Sequence, residues 1–304
     1  MATKKSMYLT GSPIHQPGFF GYGGGMKMKS PNAPSASASG TLSSEQAEQF
    51  REDGFCIVDG LYSQEELDAM EAFFEEYKKS GGNVFDKGSK YEEIDKTKRQ
   101  VRAMHPHRHS QQALDWALNP NVMEALEALF GKPALLAQTM YYFKPPGSKG
   151  QGMHQDNFYL LAEPGVCIAA WTPIDDSEVE NGCLYVAPGS HKKDIFCPEG
   201  DAKGWMEYGD SHVRPFPRDF KPVPLPVKRG QTLFFGGQLI HGSGPNRHPS
   251  RSRRTFIGHY VDEASTQLSK FYHPVLDRSG EPVSHVEKAK GGGPCGDGTG
   301  GGLH

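Results

Sequence analysis

The feature that most constrains this chain is a change of hydrophobic period at Ala134. Before it, apolar residues recur at helical spacing. After it they alternate or fall in short runs between Gly, Pro and Asp. Leu135, Ala137, Thr139, Tyr141 and Phe143 interleave with Leu136, Gln138, Met140 and Tyr142, which predicts one long strand. Pro145-Pro146-Gly147 turns it, and shorter strands are expected at 166–171, 183–187, 232–235 and 255–261. Several short strands bounded by turn residues point to a sandwich, barrel or jelly roll.

The segment before Ala134 supplies helices to cover such a sheet. Ser43 with Gln46, and Ser63 with Glu66, form capping boxes that open two helices. The first runs to about Arg51 and is ended by Gly54, with a strand expected at 55–58. In the second, Leu67, Met70, Phe73, Phe74 and Tyr77 make a stripe that should pack on the sheet, and Gly81-Gly82 should stop it. Residues 83–109 read as polar and irregular, their His-rich end (His105, His107, His109) as a solvated loop. Two further helices are expected at 110–118 and 122–130.

Residues 1–41, rich in Gly, Ser, Pro and Lys, read as a flexible leader that could act as a lid through Phe19, Phe20 and Tyr22. Residues 42–287 read as the catalytic domain, with an insert loop at 194–222, and 288–304 as a Gly-rich disordered tail. No internal repeats occur. The net charge of −3 gives no pull toward nucleic acid, and no apolar run of 18 residues predicts a membrane span. Lys4 and Lys5 are not followed by an apolar stretch, and the C-terminal Gly-Leu-His is not a peroxisomal address. The five cysteines are scattered without a C-x-x-C pair, which reads as reduced, mostly buried thiols rather than a disulfide framework. Together these point to a cytoplasmic enzyme acting on a small molecule; oligomeric state is not legible.

Chemistry concentrates at His154-Gln155-Asp156 and a distant His241. In an extended segment, residues i and i+2 project to the same side, so His154 and Asp156 should point together. Two imidazoles and a carboxylate with open positions suit a non-haem Fe(II) oxygenase. The same three ligands would also suit a zinc hydrolase or isomerase on a cupin-like barrel. Arg253 weighs against the hydrolase: an arginine inside a barrel needs an anion, and a dicarboxylate would match its fork.

The chain resembles the phytanoyl-CoA dioxygenase family of Fe(II)- and 2-oxoglutarate-dependent oxygenases. The resemblance rests on Leu42-Ser-Ser-Glu-Gln with Asp53-Gly-Phe, Lys144-Pro-Pro-Gly, His154-Gln-Asp and Ala170-Trp-Thr. It continues through Asn181-Gly-Cys-Leu, Pro188-Gly-Ser-His and His241-Gly-Ser-Gly-Pro-Asn to Arg253. It implies a mainly β fold with flanking helices and a double-stranded β-helix (jelly-roll, cupin-like) core. It implies iron on His154, Asp156 and His241, and the distal carboxylate of 2-oxoglutarate on Arg253, with Arg254 as the neighbouring alternative. Gln138, Met140, Trp171 and Ser243 would line the cosubstrate pocket. The activity implied is hydroxylation or desaturation of a C–H bond with O2, releasing succinate and CO2. Asp156 favours this over halogenation, since halogenating relatives carry a small residue at that position. Tyr141, Phe158, Tyr159 and Trp205, with Tyr208, are the expected substrate walls, which suggests a small or medium, partly apolar substrate. Arg102, Arg108 and Lys144 could meet an acidic group but read as solvated surface charge.

Overall fold

The computed structural model describes residues 41–79, 101–197, 213, 215–290 and 295. The leader, apart from Thr41, the Gly81-Gly82 stop, Trp205, Tyr208 and nearly all of the Gly-rich tail lie outside the described residues. Two antiparallel sheets form the core. The larger has six strands: β1 (Phe55–Asp59), β2 (Val101–Met104), β3 (Ala134–Lys144), β5 (Ile168–Pro173), β8 (Gln231–Gly236) and β10 (Arg253–Asp262). Their order is β1-β8-β5-β10-β3-β2. The smaller sheet, ordered β4-β9-β6-β7, contains β4 (Gln151–His154), β6 (Leu184–Val186), β7 (Val223–Leu225) and β9 (His241–Ser243). A parallel pair, β11 (Gln267–Leu268) and β12 (Glu287–Lys288), lies apart from both. This is the expected jelly-roll core with flanking helices.

The two faces of β3 show how the sequence builds the layers. All eleven of its residues are buried, because both faces of the sheet are covered. Met140 and Tyr142 join Trp171, Leu184, Leu233, Phe235 and Ile257 in the cluster between the sheets. Tyr141 and Phe143 point the other way, into a cluster with Phe74, Trp116, Leu126 and Phe256. That outer cluster is supplied by α2 (Gln64–Lys79), α3 (Gln111–Ala117) and α4 (Pro120–Phe130). The helical stripe read from the sequence therefore packs on the sheet as expected. Both capping boxes also form: in α1 (Ser44–Asp53) Ser43 Oγ accepts from Gln46 N at 3.2 Å and Gln46 returns the bond at 2.8 Å. Ser63 and Glu66 repeat the exchange at 3.1 and 2.7 Å. Gly54 ends α1 with φ at +88°, and a side chain there would collide with the His191 ring, so glycine is required on both counts.

Several expectations are corrected. Residues 101–104 form β2, the edge strand of the larger sheet, rather than irregular chain. His105 and His107 are buried, not solvated: Thr139 accepts the His105 amide through its carbonyl at 2.8 Å, and its hydroxyl lies 2.6 Å from His107 Nδ1. A strand of four residues, Arg102 among them, is too short to show an alternation signal. Cys197 and Cys295 form a disulfide with Cα atoms 5.3 Å apart, against the expectation of reduced thiols throughout. Their 98-residue separation carries no spacing signal, whereas Cys56, Cys167 and Cys183 are buried and free as expected. Of the insert, Phe196, Phe216 and Phe220 pack with Met153, Ala187 and Ile240. Among the described residues no helix is long and apolar enough to cross a membrane.

Candidate metal centre

The smaller sheet brings the two histidines together by register alone. β4 and β9 are antiparallel and His154 is paired directly with His241. Their rings lie 4.2 Å apart, centroid to centroid. Asp156 arrives differently from the extended i, i+2 geometry expected. The strand stops at His154, and Asp156 sits in helical backbone (φ −61°, ψ −37°) as the residue leading into the short helix α5 (Asn157–Leu160). The turn still delivers its carboxylate: Oδ1 lies 3.6 Å from both His154 Nε2 and His241 Nε2. The ligand atoms of these three buried residues all fall within 4.8 Å of one another, close enough for one ion.

The surroundings fix which atoms face the centre. His154 Nδ1 donates to the Gly152 carbonyl at 2.7 Å and His241 Nδ1 to the Leu239 carbonyl at 3.0 Å. With their protons held at Nδ1, both rings present an Nε2 lone pair inward. Asp156 Oδ2 accepts from His259 Nε2 at 3.0 Å, which leaves Oδ1 on the side of the two histidines. Gln155, between the two ligands, points away and ties down the loop: its amide donates to the Gln238 carbonyl at 2.9 Å and accepts from Phe196 N at 2.8 Å. The donor set is two neutral imidazoles and one carboxylate, all pre-oriented, and it fits a first-row divalent metal.

One chamber between the sheets connects these ligands to Arg253. It is lined by Asp156 and His241 and by the expected Met140, Trp171, Ser243 and Arg253. Arg253 is 4% exposed, its guanidinium is 5.5 Å from the Trp171 ring, and its single side-chain bond is to Thr255 Oγ1 at 3.3 Å. Among the described residues no carboxylate reaches it and its Nε has no partner, and burial pushes its pKa down to about 10. Arg254 is different. Asp175 grips it at 2.8 and 2.6 Å, and Glu71 and Glu75 lie at 2.9 and 3.2 Å. Its hydrogen bonds to Asp175 hold its pKa above the usual range. Arg253 is thus the one with capacity for an anion.

The remaining site residues divide. Gln138 lies on the inward face of β3, opposite His259, with both amide atoms buried and unpartnered; it does not line the chamber that holds Arg253. Tyr141 is not a wall of the site. It stacks on Phe74 at 3.9 Å under the helices, because Tyr141 and Phe143 leave β3 on the opposite side from Met140 and Tyr142. Tyr142 takes that place, lining the chamber and accepting from Arg102 at 3.0 Å. Tyr159 is 6.3 Å from the His154 ring, and Phe158 is buried beside it on α5. Trp205 lies outside the described residues. Arg102 is partly buried and Lys144 is 1% exposed in the chamber, so neither is the solvated charge expected, whereas Arg108 is exposed. Sequence reasoning missed His259 and Tyr142, and named Lys144 but read it as solvated. Strand parity was the available signal: all three share the inward face with Met140 or Arg253.

The comparisons with known proteins agree with this geometry. The profile of the phytanoyl-CoA dioxygenase (PhyH) family matches residues 50–255. The chain is 27% identical over 282 residues to phytanoyl-CoA dioxygenase domain-containing protein 1 of Bos taurus, covering 74% of this chain and 92% of that one. It is 35% identical over 159 residues to phytanoyl-CoA dioxygenase 1 of Oryza sativa subsp. japonica, covering 51% and 54%. Among solved structures, the non-haem alpha-ketoglutarate-dependent carbocyclase SnoK from nogalamycin biosynthesis has a similar fold. Its TM-score is 0.63 at 20% identity, over 80% of this chain and 94% of SnoK. The profile spans the folded core from α1 to β10 and includes all three ligand residues. This protein belongs to the phytanoyl-CoA dioxygenase family of Fe(II)- and 2-oxoglutarate-dependent dioxygenases.

Proposed function

We propose that this dioxygenase oxidises an unactivated C–H bond of a small-molecule substrate, by hydroxylation or desaturation, with conversion of 2-oxoglutarate to succinate and CO2. One observation carries the reading: a buried guanidinium without an acidic partner among the described residues opens into the same chamber as a pre-oriented His/Asp/His set. A buried cation of this kind is costly unless an anion meets it. The zinc hydrolase alternative has no use for that anion.

His154, Asp156 and His241 would hold the iron, and Arg253 with Ser243 would take the distal carboxylate of the cosubstrate. When bound, Fe(II) with 2-oxoglutarate and O2 supplies the oxidising power that no side chain has. The chain's own residues orient and seclude. Gly152 and Leu239 carbonyls keep the histidine tautomers, His259 holds the Asp156 carboxylate, and Trp171 lies against the Arg253 guanidinium. Met140, Leu184, Phe235 and Ile257 keep the chamber apolar and exclude water. Tyr159 and Phe158, beside His154, and Tyr142 with Arg102 are the candidate substrate walls; they suit a small or medium, partly apolar molecule.

The test is succinate release by the Fe(II) enzyme, screened across candidate substrates. Release that depends on 2-oxoglutarate and rises with one substrate supports the reading. Tight zinc retention with no visible charge-transfer band on adding 2-oxoglutarate to the anaerobic Fe(II) protein would favour the hydrolase.

A further inference from the structure

Lys144 ends β3 directly opposite Arg253, the first residue of β10. Its ammonium is buried in the same chamber, and among the described residues no acidic group pairs with it. Burial, and then the nearby Arg253, push its pKa well below the usual lysine range. Two basic groups side by side in a low-dielectric pocket are poorly solvated, and each disfavours the charged form of the other. An apolar residue at either position would relieve that cost. An anion between them would offset that cost and favour the charged form of both groups.

Ser243 connects the two ends. Its Oγ accepts from Lys144 Nζ at 2.9 Å and from the Gln151 amide at 3.3 Å. A hydroxyl has two acceptor positions and one proton. With both acceptor positions engaged, the Ser243 proton is left to be donated elsewhere, and among the described residues no acceptor takes it. The backbone holds Lys144 in place: Asn246 Nδ2 donates to its carbonyl at 2.9 Å. Gly182 leaves room for the stem, since a Cβ there would lie 3.0 Å from Lys144 Cε and 2.6 Å from the Gly244 carbonyl oxygen.

We infer that Lys144 is a third anchor for the distal carboxylate of the 2-oxo acid, acting through its ammonium and by turning the Ser243 proton into the chamber. The inference rests on the cosubstrate reading of Arg253 and extends it to selectivity. With Arg253, Ser243 and Lys144 around one carboxylate, the site discriminates a 2-oxo dicarboxylate from a 2-oxo monocarboxylate.

The experiment titrates anaerobic Fe(II)-loaded protein with 2-oxoglutarate and with 2-oxobutyrate, which lacks the distal carboxylate. Wild type is compared with Lys144→Met, and the melting temperature of each protein is recorded without ligand. Loss of a hydrogen bond to a charged group should weaken 2-oxoglutarate binding about 10- to 100-fold in Lys144→Met. The 2-oxobutyrate affinity should not change, and the ligand-free melting temperature should be equal or higher. Equal losses for both acids, or no loss for either, would overturn the inference. If Lys144→Met does not fold, Lys144→Gln carries the same comparison, with a smaller expected loss because the amide still donates to Ser243. Wild type that binds the two acids equally, or neither, would overturn the cosubstrate reading of Arg253 itself. A dicarboxylate preference that keeps its full wild-type size after removal of Lys144 would overturn only the role given to Lys144.

Discussion

His259 Nε2 lies 3.0 Å from Asp156 Oδ2, and this bond decides which carboxylate oxygen faces the two histidines. Asp156 comes from the start of α5 and His259 from β10, so the metal-binding turn is braced against the larger sheet. Asp156→Ala is expected to abolish turnover; activity near wild type would remove Asp156 from the iron. His259→Ala should leave all three ligands in place and lower metal affinity roughly 10- to 100-fold, the usual effect of removing such a brace. Metal competition with a chromophoric chelator measures this, and unchanged affinity would sink the bracing role.

Arg253 and Arg254 are neighbours with opposite duties. Arg253→Met should raise the KM for 2-oxoglutarate by about 100-fold, the scale of one or two charge-assisted hydrogen bonds. Its ligand-free stability should hold, since an unpaired buried charge is being replaced by an apolar side chain. Arg254→Met should do the reverse. It strips the partner from Asp175, Glu71 and Glu75 at the surface and should cost about 1 kcal/mol of stability with little change in KM. Steady-state kinetics and urea melts on the two variants distinguish them, and matching KM values would reject the assignment.

Tyr141 and Tyr142 separate packing from function. Tyr141 is fully buried against Phe74, and its hydroxyl has no hydrogen-bond partner. Tyr141→Ala should destabilise by about 3–5 kcal/mol, as other large aromatic truncations do. Tyr141→Phe removes a polar group that gains nothing from burial and should stabilise by about 1 kcal/mol. Tyr142→Phe should leave the melt unchanged and alter substrate KM, through loss of the Arg102 bond. A destabilised Tyr141→Phe would mean the hydroxyl has an acceptor.

These two tyrosines also show how far the sequence could be read. The long strand, its capping boxes and the helical stripe follow from local periodicity, and the structure has them where expected. The same periodicity gives parity within β3, so Gln138, Met140, Tyr142 and Lys144 must share a face that Tyr141 does not. What local pattern could not supply is pairing between distant segments. β4 and β9 are only four and three residues long, too short for an alternation signal, yet their register places His154 against His241. β2, at the sheet edge, is equally short at four residues. The Cys197–Cys295 pair depends on the same long-range proximity.

His105 and His107 predict a pH dependence of stability. Both rings are buried beneath the sheet edge; neither nitrogen of His105 has a partner, and His107 is held only through Thr139. Burial, and then the nearby Arg108, push their pKa values down to about 2 and about 3. For both groups the folded pKa lies below the unfolded value of about 6.5. Above that value neither state binds the proton and nothing is lost. Between pH 6.5 and the folded pKa the unfolded chain binds protons that the folded chain refuses, so stability falls as pH falls. Each histidine contributes at most about 1.4 kcal/mol per pH unit to that slope. His105 sits in left-handed backbone (φ 50°), which asparagine tolerates, so His105→Asn with His107→Gln removes both titrations with little backbone strain. Urea melts at pH 7, 6 and 5 should show a shallower loss in the double variant than in wild type. Parallel pH profiles would mean the rings are protonated in the folded protein.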